Sequence, residues 1–192
     1  MKYAALICLL FLTAGCDIFR TRDPQIPDQP RSNFQQAVTH DIPIQNLIHS
    51  LEDLNANQQN YLDCFVDSQY ANKNFIFVPT SSAASLYPAF STWDKKSESR
   101  YYTNLKSGLL PDLQMTVNII ITDSSQQEGS WIYSAAYSLD IPFKDASLPT
   151  HYEGDLKFYM IQDSRSIWSI YQWQDIKTTN SLSWSDLKGR LY

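Results

Sequence analysis

The sequence predicts an α+β fold in which three helices precede an antiparallel sheet of four strands. Between residues 41 and 106, apolar side chains recur with helical spacing. Between residues 113 and 176, apolar and polar side chains alternate with a period of two, which is typical of strands. The connections between these strands are too short for parallel crossovers. Helices followed by antiparallel strands indicate the α+β class, with the helices on one face of the sheet.

The first helix is expected to begin near Asp41, which can cap it, with Pro43 in its first turn. Its apolar stripe follows the spacing i, i+3, i+4 and i+7: Ile44, Leu47, Ile48 and Leu51. A second, short helix follows the polar break at residues 55–57 and ends near Asp67. It carries Tyr61, Leu62 and Phe65.

Residues 75–78 predict a short strand that Pro79 closes, and residues 80–90 predict a loop rich in serine and alanine. The third helix is predicted from Asp94 to Lys106. Residues at helical spacing in and before it are Trp93, Glu98, Tyr101, Tyr102 and Leu105. The charged run at residues 94–98 is interpreted as a solvated helix start.

The four predicted strands share an apolar face that repeats at every second residue. Its members in the first three strands are Leu113, Met115, Val117, Ile119, Ile121, Trp131, Tyr133, Ala135, Tyr137, Leu139, Ile141, Leu156, Phe158 and Met160. The fourth strand, residues 167–176, carries large side chains on both faces. This pattern indicates a strand in the interior of the sheet, or a strand flanked by helices and a partner. The pattern places Trp168 and Ile170 on one face and Ile167, Tyr171 and Trp173 on the other. Ser183 can cap a final short turn, residues 184–188, that Gly189 ends.

Residues 1–15 have the features of a secretory signal peptide. Lys2 supplies a positive charge, residues 4–12 form an apolar run, and small residues follow. The run is too short for a membrane span, which needs about 20 apolar residues. The ending Ala14-Gly15-Cys16 resembles the lipobox of bacterial lipoproteins, in which the cysteine is acylated and becomes the mature N-terminus. Thr13 stands where that family usually has leucine, and the alternative is an ordinary cleaved signal in which Cys16 is incidental.

The resemblance implies a protein outside the cytoplasm that acyl chains on Cys16 hold at a bacterial membrane. It leaves open whether this is the inner or the outer membrane. Residues 16–38 are interpreted as a tether, because Pro24, Pro27 and Pro30 recur among polar residues and favour extended geometry. The domain is then expected to occupy residues 39–192.

Charge and cysteine content exclude several classes. The formal net charge of −5 argues against nucleic-acid binding, which requires a basic stripe, and against electrostatic docking on anionic lipid. Of the three cysteines, Cys8 and Cys16 lie in the signal and lipobox, so Cys64 has no intramolecular disulfide partner. Its apolar neighbours predict a reduced, buried thiol.

The order of elements resembles the nuclear transport factor 2-like fold, also called cystatin-like or polyketide-cyclase-like. The resemblance rests on two segments separated by a polar break: Ile44-Gln45-Asn46-Leu47-Ile48-His49-Ser50-Leu51 and Tyr61-Leu62-Asp63-Cys64-Phe65-Val66-Asp67. The resemblance covers residues 41–178. The family implies a bent sheet that wraps the helices into a cone with an apolar pocket. Its members include isomerases, dehydratases, cyclases and non-catalytic binding domains, so the fold does not decide activity.

Tyr101, Tyr133, Tyr171 and Trp173 are the candidate pocket-lining residues, although aromatic residues at such periods are more often core. A pocket enzyme would need a carboxylate base within the apolar pocket. The candidates by position, Asp63, Asp140 and Asp155, are better explained as solvated. No catalytic residue and no cofactor is therefore assigned.

His40, His49 and His151 do not stand at metal-ligand spacing, so the sequence predicts no metal site. The favoured interpretation is a lipoprotein whose domain binds a small apolar ligand or a protein partner without chemistry. The alternatives are a pocket enzyme of the isomerase or cyclase type and a structural role in envelope assembly.

The lipobox predicts that Cys16→Ser abolishes membrane anchoring, because no acyl chain can be attached to serine. After detergent phase separation of cells, the parent protein is expected in the detergent phase and the variant in the aqueous phase. A variant that stays in the detergent phase would contradict the anchor assignment.

Overall fold

The structure, a computed structural model, describes residues 33–55, 57–178 and 180–192. Five helices and a short 3-10 helix are described: α1 Ile42–Glu52, α2 Gln58–Leu62, α3 Ser81–Leu86, the 3-10 helix Pro88–Thr92, α4 Lys95–Gly108 and α5 Trp184–Leu191. The strands are β1 Ile76–Val78, β2 Thr116–Gln127, β3 Ser130–Asp140, β4 His151–Gln162 and β5 Trp168–Ile176. In the described part, no helix is long and apolar enough to cross a membrane.

The five strands form one sheet in the order β1-β5-β4-β3-β2. The predicted α+β class and the four antiparallel strands β2 to β5 are confirmed. The sheet has five strands and not four, because β1 pairs parallel with β5, with Phe77 opposite Trp173. The sequence predicts the β1 strand itself, but three residues contain nothing that specifies the strand beside which they lie.

The core lies on one face of this sheet, where alternate strand residues are buried against the helices. Leu139, Leu156, Phe158, Met160, Ile170 and Trp173 each have 0% exposure. Hydrogen bonds tie the helices together, since the Tyr102 hydroxyl of α4 donates to the Ser50 carbonyl of α1 over 2.9 Å. The Glu52 carboxylate at the end of α1 accepts a 2.8 Å bond from the Val117 amide of β2. Apolar burial and these cross-links together fix the helices on the sheet.

A bulge in β5 changes the predicted faces of that strand. Tyr159 pairs with Gln172, whereas Met160 pairs with Ile170, so Tyr171 is the extra residue. Ile170 and Trp173 are consequently both buried. The prediction that they lie on opposite faces is wrong, because strict alternation does not survive an inserted residue.

The predicted loop at residues 80–90 is also wrong, since it contains α3 and the 3-10 helix. The Thr80 hydroxyl caps α3 by accepting a hydrogen bond from the Ala83 amide. Threonine before an alanine-containing segment is a helix-start signal that the sequence interpretation overlooked. Pro88 then begins the 3-10 helix, where its missing N–H is tolerated.

Helix α5 continues to Leu191, so Gly189 does not end it. A side chain at Gly189 would overlap the ring of Tyr87. The glycine therefore serves close packing between α5 and the residues before the 3-10 helix. The expectation of a glycine stop was wrong because the helix terminus lies two residues further along the chain.

Residues 33–38 lie against the domain. Phe34 packs on the core, and Ala37 is 6% exposed. The Asn46 side chain donates to the Gln35 carbonyl over 2.7 Å, and the Trp168 amide donates to the Ala37 carbonyl over 2.8 Å. The remainder of the proposed tether, the signal segment and Cys16 lie outside the described residues.

The prediction of a free, buried thiol at Cys64 is confirmed for the described part of the chain. Its sulfur is 1% exposed and contacts the Asn60 carbonyl at 3.3 Å. Burial raises the pKa of the Cys64 thiol well above its ordinary value, and the nearby Asp63 carboxylate adds to the effect. The thiol is therefore a packing group and not a nucleophile.

Gly189→Ala is expected to lower the free energy of unfolding by about 1–3 kcal/mol, because the new methyl group meets the Tyr87 ring. Gly108→Ala is the matched control: its methyl group would meet Phe143 at an ordinary 3.5 Å. Urea denaturation of both variants measures the difference. Equal stability of the two variants, or failure of Tyr87→Ala to rescue Gly189→Ala, would contradict the packing assignment.

Candidate functional site

The interior between helix α4 and the sheet is occupied by the chain's own C-terminal helix. Trp184, Leu187 and Lys188 of α5 each have 0% exposure. The Trp184 ring stands edge-on to Trp173 of β5, with ring centroids 4.5 Å apart. Ser183 fixes the start of α5 through a capping box with Asp186. The short helix therefore enters the core instead of lying on the surface.

Lys188 makes a buried ion pair with Glu98 of α4. Its ammonium contacts Oε1 of Glu98, and both side chains have 0% exposure. The Trp93 indole N–H donates to the same oxygen over 2.7 Å, and the Tyr61 hydroxyl donates to Oε2 over 2.7 Å. Both carboxylate oxygens of Glu98 are thus hydrogen-bonded within the chain, which is what a buried charge requires.

Aromatic rings surround the Lys188 ammonium. Its nitrogen lies 4.0 Å from the ring centroid of Trp173, 4.2 Å from Phe77, 5.0 Å from Tyr101 and 5.6 Å from Trp93. These distances are in the range of cation–π attraction. Burial lowers the pKa of Lys188 to about 8, although the Glu98 carboxylate acts in the opposite direction. We call the set Glu98, Phe77, Trp93, Tyr101 and Trp173 the Glu98 cage.

A second buried carboxylate, Asp175 of β5, holds the start of α5. Its Oδ1 accepts a 2.7 Å bond from the Tyr137 hydroxyl, and its Oδ2 accepts bonds from the Ser185 amide and hydroxyl. The Tyr137 hydroxyl in turn accepts from the Trp184 amide over 2.7 Å. Burial raises the pKa of Asp175, which these hydrogen bonds partly oppose.

Glu98 and Asp175 therefore both serve the attachment of α5. A catalytic base must have an oxygen within reach of a substrate proton. Each oxygen of Glu98 and Asp175 already accepts a hydrogen bond from the chain. The Tyr152 hydroxyl and the Trp173 indole N–H, also buried, have no hydrogen-bond partner among the described residues.

Sequence reasoning missed these two acids, although the signal was present. Glu98 shares helical spacing with Tyr101, Tyr102 and Leu105, so it stands in the apolar stripe of α4. The interpretation of residues 94–98 as a solvated helix start was wrong for Glu98 because it gave the charge more weight than the spacing. Asp175 similarly follows Trp173 at a period of two in β5.

The four predicted pocket-lining residues lie in three places. Tyr101 and Trp173 belong to the Glu98 cage, and the Tyr101 hydroxyl accepts a 3.0 Å bond from the Trp184 indole. Tyr133 lies farther along β3, where its hydroxyl contacts the His40 ring. Tyr171 packs beside Tyr159, with Lys73 4.0 Å above its ring. Tyr133 and Tyr171 thus have their own partners away from the cage.

The carboxylates that the sequence weighed as bases lie outside this interior. Asp63 and Asp140 are exposed, and Asp155 is half-buried on β4 beside the buried Gly154 and Leu156. Asp140 contacts the exposed His151 at 2.7 Å. Within the described residues, no three His, Cys, Asp or Glu side chains are grouped so that they could hold a metal ion.

A cleft on the outside of the domain offers open space. Its volume is about 280 Å³, and residues 34–37, the end of α2, the start of α4 and the β4–β5 turn form its walls. The apolar lining consists of Phe34, Ala37, Phe65 and Ile167, and the charged lining of Asp63, Asp67, Lys95, Asp163 and Arg165. We call it the Lys95 cleft.

The charged groups of the Lys95 cleft are held in place by the chain. Lys95 is half-buried and donates a 3.1 Å bond to the Phe65 carbonyl, and burial lowers its pKa. Nε and Nη2 of Arg165 both donate to Oδ2 of Asp163, over 2.9 and 2.6 Å, and the guanidinium lies 3.6 Å above the Tyr70 ring. Burial acts to raise the pKa of Asp163, but hydrogen bonds from Arg165 and the Ile167 amide outweigh it and lower the pKa. Asp63 and Asp67 leave the cleft with excess negative charge.

No protein-family model and no curated relative matches the chain. A solved structure from Novosphingobium aromaticivorans, provisionally named an aromatic ring hydroxylase, has a TM-score of 0.52 at 12% identity, over 76% of this chain and 91% of that chain. A conserved protein from Planctomyces limnophilus has a TM-score of 0.51 at 7% identity, over 69% and 88%. A nuclear transport factor 2-like superfamily protein from Salmonella enterica has a TM-score of 0.47 at 10% identity, over 72% and 89%. At such identities, the similarity of the first two shows the fold and leaves the activity undecided.

Breaking the buried pair is expected to be costly. Glu98→Gln or Lys188→Met alone leaves one charge buried without its partner, so each should lower the free energy of unfolding by about 3–5 kcal/mol. The double variant removes both charges and should recover most of that loss. Asp140→Asn, at a largely exposed ion pair, is the control and should cost less than about 1 kcal/mol. Additive losses in the double variant would contradict the pairing.

Proposed function

We propose that the chain is a bacterial lipoprotein, held at a membrane outside the cytoplasm by acylated Cys16, whose domain is a non-catalytic binding module. The anchor part rests on the signal and lipobox of the sequence. The binding part rests on one structural observation: α5 fills the interior in which enzymes with a nuclear transport factor 2-like cone would hold a substrate. The side chains of Lys188 and Trp184 fill this interior, and residues of the Glu98 cage contact both of them.

The Lys95 cleft is the proposed binding site. At about 280 Å³ its volume lies just below the usual range of small-ligand pockets, which starts at about 300 Å³. Its apolar lining residues can contact a hydrocarbon group, and Asp63 and Asp67 favour a positive charge beside it. We therefore expect a small apolar molecule with a basic group, or one apolar and one basic side chain of a protein partner.

The pocket-enzyme alternative requires α5 to leave the interior. Only then could Glu98 or Asp175 reach a substrate, since their oxygens are otherwise engaged by the chain. Both acids lie beside tyrosine hydroxyls, which is the pairing that such chemistry uses. These acid–tyrosine pairs therefore make the pocket enzyme the competing hypothesis. The place where a ligand binds, the interior or the Lys95 cleft, distinguishes the pocket enzyme from the binding module.

The test is an NMR titration of the labelled domain, residues 33–192, with a set of small amines that carry aliphatic or aromatic groups. Shifts should be confined to the amides of Lys95, Ile167 and Ser169. Asp67→Asn should weaken the binding, because it removes one negative charge from the cleft. Asp145→Asn, on an exposed loop away from the cleft, should leave it unchanged.

Two results would overturn the proposal. Shifts centred on the indole signals of Trp173 and Trp184 would place the ligand in the interior and favour the pocket enzyme. Absence of saturable shifts across the set would remove the Lys95 cleft as a binding site for such groups.

A further inference from the structure

We infer that the Glu98 cage is a cation-binding site that the chain fills with its own Lys188, and that small alkylammonium ions are the class of ligand that it accepts in place of that side chain. This inference concerns the interior and goes beyond the proposed binding at the Lys95 cleft. It rests on the composition of the cage, the origin of its walls and the charge balance within it.

The composition of the cage is that of a site for an ammonium group. A carboxylate supplies the opposite charge, and the faces of several rings supply further attraction to a positive charge in a desolvated space. Trp173 and Phe77 approach the ammonium nitrogen most closely, at 4.0 and 4.2 Å. A neutral group of the same size would gain neither attraction.

The walls of the cage come from segments of the chain other than α5. Phe77 comes from β1, Glu98 and Tyr101 from α4, and Trp173 from β5. The rings also contact one another directly, since the Phe77 centroid lies 5.6 Å from that of Trp173 and 5.9 Å from that of Trp93. Lys188 arrives separately, 90 residues after Glu98, on the last helix. It is therefore an occupant of the site and not one of its walls.

The charge balance favours a cation in the cage. Glu98 has 0% exposure and accepts hydrogen bonds from the neutral donors Trp93 and Tyr61. Lys188 is the cation that contacts its carboxylate. A buried carboxylate without a counter-charge is strongly unfavourable, so an emptied cage should favour a cation from solution over water or a neutral molecule.

The size of the ligand follows from the side chain that it replaces. Lys188→Ala removes three methylene groups and the ammonium, which together correspond to n-propylammonium. Buried cavities made by such truncations take up matching small molecules. The cavity would keep Glu98 and the rings in place, because none of them is on α5.

The test measures the stability of Lys188→Ala in urea with increasing n-propylammonium chloride, against sodium chloride at the same ionic strength. The folded-to-unfolded ratio should rise with ligand as one plus the ratio of its concentration to Kd, or about elevenfold at ten times Kd. The wild type should not respond, because Lys188 occupies the site. Glu98→Gln/Lys188→Ala should not respond, because the opposite charge is absent.

A neutral comparison separates charge from volume. n-Propanol at the same concentration should have little effect on Lys188→Ala. An equal response to n-propanol, a response that persists in Glu98→Gln/Lys188→Ala, or no response to n-propylammonium would each contradict the inference. If Lys188→Ala does not fold alone, the same series is followed as refolding yield by tryptophan fluorescence, with the same expected and contradictory outcomes. Neither assay involves the Lys95 cleft or Cys16, so a negative result would contradict this inference without contradicting the proposed function.

Discussion

The arrangement of the interior depends on the ion pair between Lys188 and Glu98. Removing two charges from water is expensive, and the pair is tolerable because both Glu98 oxygens accept hydrogen bonds and aromatic rings lie around the ammonium. That requirement fixes the position of α5, since Lys188 must reach α4 while Trp184 packs on β5. Asp175 adds a second attachment at the first turn of the helix. An apolar helix could slide within such a core, whereas these paired polar groups define one register.

The filled interior has a consequence for function. In the described residues, α5 fills the space between α4 and the sheet, and the proposed binding site is the Lys95 cleft on the surface. Residues 34–37, which form one wall of that cleft, belong to the last part of the proposed tether, residues 16–38. If Cys16 anchors the chain, the cleft therefore lies close in sequence to the attachment point.

The sequence predicted the regular parts of the fold because periodicity reports burial directly. Alternation in β2 to β5 and the stripes of α1 and α4 identified the class, the antiparallel sheet and most of the core. The sequence pattern could not predict the strand that pairs with β1, the bulge at Tyr171 or the extension of α5 past Gly189. Those features depend on contacts between distant segments, such as Phe77 with Trp173 and Gly189 with Tyr87.

The interior site was accessible only in part from the sequence. Tyr101 and Trp173 were identified as candidate lining residues, and the spacing of Glu98 within its stripe was visible. No feature of residues 184–191 indicates that Lys188 is buried, because its partner Glu98 lies 90 residues earlier in the chain. A charged residue is interpreted as solvated unless its counter-charge is known. For Lys188 the counter-charge can be identified only from the three-dimensional structure.

The central claim is that α5 is an integral part of the core and fills the interior. Native-state hydrogen exchange of backbone amides tests it most directly, because it reports the free energy of opening for each helix. The account predicts that the amides of Leu187 and Lys188 are protected to nearly the same degree as those of Leu156 and Phe158 in β4. Exchange of the α5 amides at the rate of an unstructured peptide, while β4 stays protected, would contradict the account and leave the interior open to ligand.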